Sequence, residues 1–226
     1  MIYKIFALGD NALTVEFGNE ISVEMNDCAI HLAAFFDENS FCGLIETVPA
    51  YASTSFFYDV ALVRKTFPDF PTAFDAVKDF AANALRNLEV SAKFDSRLIE
   101  IPVCFGAEFA LDLELVAQTN NLTAPEVVEI FLTRTYRVFM SGFLPGFAYM
   151  GEVDERIAAP RKDSPRLKVP QGSVGIAGKQ TGIYPLASPG GWQIIGRTNV
   201  ELFTPNAESP TFLQAGDSVK FYKTTF

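Results

Sequence analysis

Residues 136–198 read YRVFMSGFLPGFAYMGEVDERIAAPRKDSPRLKVPQGSVGIAGKQTGIYPLASPGGWQIIGRT, and this stretch decides the fold of the second half of the chain. Short β-rich runs (YRVFMSGF, SVGIAG, WQIIGR and, near the end, VKFYKT) alternate with Gly and Pro turns, which is the pattern of a closed or nearly closed β-barrel. Leu144-Pro145-Gly146 and Ser188-Pro189-Gly190 each set Pro and then Gly at the centre of a turn, the order that favours type II geometry.

Upstream of this stretch the sequence expects two short helices. One crosses residues 112–119; the other opens with a capping box from Thr123 to Glu126 and carries Pro125 in its first turn. Before them, LIEIPVC at 98–104 is strongly strand-like and follows a polar run, EVSAKFDSR, at 89–97. The boundary falls there, giving expected domains of 1–97 and 98–226. In the first domain, strands are expected at 2–8 and 12–17, joined by the Gly9-Asp10-Asn11 turn. Ile21, Met25, Cys28, Leu32 and Phe35 then recur at helical spacing, with Ser22 as cap, so 22–36 reads as an amphipathic helix. Strands near 43–49 and 53–58 follow. A second apolar stripe (Phe74, Val77, Ala81, Ala84, Leu85, Leu88) comes after the loop between Pro68 and Pro71. The order ββαββα predicts a small sheet with both helices on one face, an α+β sandwich.

Bulk composition narrows the function. With 49% apolar and 20% charged residues over 226 positions, the chain is globular. No run approaches the roughly 20 apolar residues of a membrane helix. Asp10 and Glu16 arrive too early for a secretory signal, so a cytoplasmic location is expected, with no membrane role. The three cysteines form no CxxC spacing and read as ordinary buried thiols, while the single histidine, His31, cannot build a metal site alone. A net charge of −9 argues against nucleic-acid binding. Charge is uneven, however: residues 156–179 hold six bases (Arg156, Arg161, Lys162, Arg166, Lys168, Lys179) against the single acid Asp163, a local +5 that would attract an anion.

Two tempting motifs fail. SVGIAGKQT at 173–181 looks like a phosphate-binding loop, but Ser173 stands where the motif needs Gly and Gln180 where it needs Ser or Thr. Such a loop must also open a helix, which Gly182 and Pro185 oppose. No GxSxG elbow and no Ser-rich amidase signature occurs either, so a Ser-His-Asp triad is not expected.

GFLPGFAYMG, the APR and SPR turns, VPQGSVGIAGKQTGIYPLASPGGW and IGRT together resemble the family of 5-oxoprolinase B subunits and KipI, called allophanate hydrolase subunit 1 in older usage. LIEIPVCFGAEFALDL and GDSVKF extend the resemblance over essentially the whole chain. It implies a cyclophilin-like β-barrel after the N-terminal α+β domain. It also implies a role as the B subunit of an ATP-dependent complex that, with its A and C subunits, cleaves 5-oxoproline to glutamate; ATP is then used by the complex, with no cofactor bound by this chain. A KipI-like inhibitor docking on a sensor histidine kinase is the alternative. One departure stands out, because the family commonly has His five residues before the Tyr of the YRV strand, where this chain has Phe131.

Side-chain chemistry nominates residues for binding a small anionic substrate. Arg166 and Lys168 can hold a carboxylate or phosphate, Arg through a bidentate fork. Gln180 can both donate and accept, and Ser173, Thr181 and Tyr184 supply hydroxyls. Glycines 172, 175, 178 and 182 suit either close backbone approach to a ligand or the tight hairpins of a small barrel. Trp192 suits either a pocket cap or the core.

Overall fold

β1 (Lys4–Ala7) and β2 (Ala12–Glu16) pair antiparallel, and the turn between them closes through Leu8 N–H to Ala12 O at 2.9 Å with Gly9 at φ +70°. They belong to a computed structural model that describes residues 2–87 and 96–225. These fall into two compact units, one within Met1–Asp95 and one within Ser96–Phe226. Leu88 and most of the polar run expected to hold the domain boundary lie outside the described residues.

In the first unit, α1 (Val23–Glu38) follows the hairpin, then β3 (Leu44–Pro49), β4 (Ser53–Tyr58), α2 (Val60–Thr66) and α3 (Ala73–Asn87). The sheet runs β1-β2-β4-β3, antiparallel throughout. Leu13, Val15, Phe56 and Tyr58 of the two central strands share one core with Ala29, Leu32 and Phe36 of α1 and with Ala76, Val77 and Ala81 of α3. Ser22 caps α1 by accepting from Met25 N–H, which satisfies one of the orphan donors of the first turn. The short α2 was not expected. Asp59 starts it by accepting from Leu62 N–H at 2.9 Å, and Phe67 ends it because the residue before Pro68 is pushed out of helical geometry.

The second unit begins with β5 (Leu98–Val103), α4 (Leu113–Thr119) and α5 (Ala124–Thr133). Strands β6 (Thr135–Ser141), β7 (Ala148–Gly151), β8 (Arg166–Val169), β9 (Ser173–Ala177), β10 (Gln180–Ile183), β11 (Ser188–Gly190), β12 (Gln193–Arg197) and β13 (Ser218–Lys223) follow. Seven of them form one sheet in the order β12-β9-β10-β7-β6-β13-β5, while β8 and β11 make a separate ribbon. The large sheet curls until its edges meet: Cys104, next after β5, and Arg197, the last residue of β12, exchange backbone hydrogen bonds at 2.8 and 2.9 Å. The architecture is thus mixed α/β with a curled sheet. Its interior is filled by Ile101, Val138, Met150, Ile176, Ile195 and Val219, against which α5 packs Val127 and Phe131. The expected capping box holds α5 at its start, with both reciprocal hydrogen bonds between Thr123 and Glu126 present.

Phe131, the departure from the family pattern, is fully buried. Its ring centroid lies 5.0 Å from both Phe221 and Tyr136, and its carbonyl accepts from the Tyr136 hydroxyl at 2.8 Å. Leu144–Phe147 is the expected type II turn, with Phe147 N–H on Leu144 O at 3.0 Å and Gly146 at φ +81°. Ser188-Pro189-Gly190 is not a turn. Those residues form β11, and Gly190 is needed there for space, since a Cβ on it would lie 2.4 Å from the Tyr184 hydroxyl. The loop-like SVGIAGKQT is a hairpin joining β9 to β10, so Lys179 opens no helix. Cys28 and Cys104 are buried as expected, but Cys42 is exposed; all three are free thiols. No helix among the described residues is long and apolar enough to cross a membrane.

Candidate functional site

The second unit carries a recess of about 260 Å³ whose lining is dominated by aromatic rings. Phe147, the buried last residue of the Leu144–Phe147 turn, is the hub of this wall. Around it, Phe143, Tyr149, Tyr184 and Trp192 stand edge-on with centroids 4.8–5.5 Å away, the arrangement that ring quadrupoles favour. Trp192 and Tyr184 approach this closely because glycines face them: Gly190 leaves room for the Tyr184 hydroxyl, which also bonds to the Trp192 backbone. Burial first of all pushes the Tyr184 hydroxyl pKa up, so it stays protonated at neutral pH.

At the rim Phe143 is 58% exposed and adopts φ +66°, a left-handed conformation that costs a bulky residue about 1–3 kcal/mol. Leu144 N–H reaches Gly142 O at 2.8 Å across it, a three-residue turn that turns the ring toward the recess. Strain of this kind persists only where surrounding structure enforces it, and it concentrates at functional sites.

Two neighbouring cations, Lys162 and Arg166, are organised by Asp112, which stands near the end of the LIEIPVCFGAEFALDL run that carried part of the resemblance. Asp112 precedes α4, is only 4% exposed, and collects four donors. Arg166 forks onto it with Nη1 to Oδ2 and Nη2 to Oδ1, both at 2.7 Å; Lys162 Nζ reaches Oδ1 at 3.0 Å; Ile194 N–H reaches Oδ2 at 2.7 Å. Burial alone would raise the carboxyl pKa, but the Arg166 fork, the Ile194 N–H and Lys162 together outweigh it, so the group titrates below the ordinary carboxylate range. Because two cations share one carboxylate, the cluster keeps excess positive charge.

Arg161 is used differently. Its guanidinium lies 6.0 Å from the Trp192 ring centroid, and no carboxylate partners it among the described residues. The backbone on either side is pinned, Pro160 O by Gln193 Nε2 at 2.9 Å and Lys162 N–H by Gly191 O at 2.7 Å, so the exposed head projects from a fixed base. Arg161 and Lys162 also border a second cavity of about 500 Å³, lined among others by Val116, Asp163 and Gln193. The Gln193 Oε1 atom is buried there without a hydrogen-bond partner among the described residues.

Of the residues nominated from sequence, Tyr184 and Trp192 meet in the aromatic recess. The others do not join them. Arg166 has both terminal nitrogens on Asp112. Lys168 is exposed on β8, and Gln180 is half-buried where the hairpin enters β10. Ser173 is buried at the start of β9, and the buried Thr181 hydroxyl donates to Gly175 O at 2.9 Å. Arg161 sits in the basic run and in the APR turn that carried the resemblance, which was the available signal for it. No cluster of His, Cys, Asp and Glu suited to a metal occurs among the described residues.

Residues 3–213 match the family described as carboxyltransferase domain, subdomain C and D. A Bacillus subtilis protein named as the B subunit of 5-oxoprolinase is 46% identical over 222 residues, covering 98% of this chain and 92% of that one. The chain belongs to the family of 5-oxoprolinase B subunits. Two solved structures extend the comparison to fold. The protein TTHA0988 is 33% identical with a TM-score of 0.81, the match covering 96% of this chain and 40% of that one. The Kluyveromyces lactis urea carboxylase is 20% identical with a TM-score of 0.75, covering 99% of this chain and 22% of that one, and shares the fold of the curled sheet. In both, the region equivalent to this family member is a minor part of a longer chain.

Proposed function

We propose that the chain is the B subunit of an ATP-dependent 5-oxoprolinase, acting with the A and C subunits of that complex to open the lactam of 5-oxoproline to glutamate. The observation that carries this reading is the near full-length match, at 46% identity, to the Bacillus subtilis 5-oxoprolinase B subunit. The lactam amide is a poor electrophile, so coupling its opening to ATP is chemically sensible. ATP is used by the complex and no cofactor is held by this chain; the Ser173–Thr181 hairpin, which opens no helix, is in keeping with that. The finer fold assignment belongs to the same reading: an N-terminal α+β sandwich of residues 1–97 and a cyclophilin-like barrel of 98–226, working in the cytoplasm.

Two observations favour a partnered subunit over an enzyme complete in itself. The equivalent regions in TTHA0988 and the urea carboxylase are embedded in longer chains. In addition, the β8–β11 ribbon and its approach expose Leu167, at 92%, and Leu186, apolar surface suited to burial against another protein chain. The test is reconstitution. The isolated chain should neither cleave 5-oxoproline nor hydrolyse ATP, and oxoproline-dependent ATP hydrolysis should appear when the A and C subunits are added. Turnover by the chain alone would overturn the non-autonomous role, and a fully assembled complex with no oxoproline dependence would overturn the substrate.

A further inference from the structure

We propose that the aromatic recess of the second unit is a binding subsite on this chain for a small carboxylic acid borne on a compact ring. The carboxylate sits on Arg161 and the ring between Phe143, Tyr149 and Trp192. The inference rests on the preceding reading in taking that acid to be 5-oxoproline, but its geometry stands apart from the activity of the assembled complex.

Three features select this class of ligand. The recess, at about 260 Å³, lies just below the roughly 300–1,000 Å³ of pockets for drug-sized ligands, a size that suits a single small ring. Its rings give broad apolar faces, the Tyr149 and Tyr184 hydroxyls offer polar contacts, and Arg161 supplies a positive charge, a lining that fits a flat ring bearing an anionic group. The charge that faces it is Arg161. Lys162 and Arg166 are both engaged by Asp112, leaving Arg161 with a guanidinium fork held over Trp192 and available for a bidentate carboxylate.

Asp112 is a positioning residue in this arrangement. Its carboxylate binds Lys162, which neighbours Arg161, and its second contact runs to Ile194, two residues beyond Trp192. Backbone bonding strengthens that link, since Asp112 N–H donates to Ile194 O at 2.7 Å. One buried residue therefore ties together the loop that carries the cation and the strand that follows the indole. Pre-setting both before the ligand arrives reduces the ordering cost of binding.

Trp192 is the only tryptophan in the chain, so its fluorescence reports directly on the recess. The experiment titrates the full-length chain with 5-oxoproline, with 2-pyrrolidinone, which keeps the ring and lacks the carboxylate, and with glutamate, which keeps a carboxylate and lacks the ring. A saturable change is expected with 5-oxoproline, and binding at least roughly tenfold weaker with the other two, as expected when a charge-assisted contact or the ring burial is lost. Arg161→Ala should weaken 5-oxoproline binding roughly 10- to 150-fold with an unchanged melting temperature, and Arg161→Lys should recover little of it. The same variants are then assayed in the reconstituted complex, where the loss should appear mainly as a raised KM. Wild-type affinity and KM in Arg161→Ala overturn the subsite, as does the lack of any saturable response to 5-oxoproline together with a wild-type KM in that variant. The two readings fail separately. Binding without turnover in a full complex sinks the oxoprolinase reading alone, whereas turnover that ignores Arg161 sinks the subsite alone.

Discussion

Arg166 forks onto Asp112 at 2.7 Å through both terminal nitrogens, whereas Arg161, five residues earlier in the same basic segment, stays exposed over Trp192 without a carboxylate partner among the described residues. The pair shows that a run of positive charge is not one functional unit. A buried acid converts some of its members into structure and leaves the remainder for ligands. Desolvating Asp112 is costly, and its four donors offset that cost only together, so the cluster behaves as a joint between α4, β8 and β12. Arg161 avoids that cost because its head remains in water until something binds.

Removing the acid should have the largest effect. Asp112→Ala leaves Arg166 and Lys162 facing each other without their counter-charge, and breaking a buried pair in this way costs ~3–5 kcal/mol. At roughly 2–4 °C per kcal/mol for a chain of this size, differential scanning calorimetry should register a fall of about 6–20 °C. A fall of less than ~2 °C would mean that the cluster is not a joint. Gly190→Ala comes next. The added Cβ would lie 2.4 Å from the Tyr184 hydroxyl, and forcing that ring aside should cost ~1–3 kcal/mol and distort the recess. Wild-type stability together with unaltered Trp192 emission would contradict the packing described for Tyr184.

A third test uses pH. The Asp112 carboxyl titrates lower in the folded protein than in the unfolded chain, so its contribution is present above the unfolded value of about 3.9 and is lost as pH falls through the folded value. Thermal melts between pH 6 and 2 should therefore show wild type losing its advantage over Asp112→Asn only below about pH 4. A difference between the two that stays constant down to pH 2 would mean the carboxylate is not specifically stabilised in the fold.

Much of this architecture was legible in the sequence, because it follows from local signals. Ser22, the Thr123–Glu126 box and the Pro145-Gly146 turn each act through hydrogen bonds within a few residues, so their types and spacing identify them. α2 was missed because its seven residues bury only Val63, too little to form a stripe. β7, β8, β10 and β11 were missed because they are only three or four residues long, too short to show alternation, and β8 and β11 are held by pairing across the intervening chain. The site was harder for the same reason. Trp192 and Tyr184 announce themselves as large amphipathic rings. Whether Arg161 or Arg166 is available depends on Asp112, which lies some fifty residues earlier; it falls in the LIEIPVCFGAEFALDL run that carried the resemblance, but nothing in its spacing ties it to the basic segment. Ser173 and Thr181 were nominated for their hydroxyls; both lie buried in strands covered on both faces, which the sequence pattern does not reveal.

The smallest expected stability change is also the most diagnostic. Arg161→Ala should melt within about 0.5 kcal/mol of wild type, as an exposed substitution does, while Arg166→Ala should lose ~1.5–3 kcal/mol for its charge-assisted fork. The most direct test measures melting temperature and oxoproline-dependent ATP hydrolysis, with the A and C subunits present, on the same preparations of these two variants. Arg161→Ala should keep its melting temperature and lose roughly 10- to 150-fold in kcat/KM, while Arg166→Ala should melt lower and retain most of its activity per folded complex well below its melting point. The reverse pattern, a destabilised but fully active Arg161→Ala beside a stable and inactive Arg166→Ala, would contradict this division of roles between the two arginines.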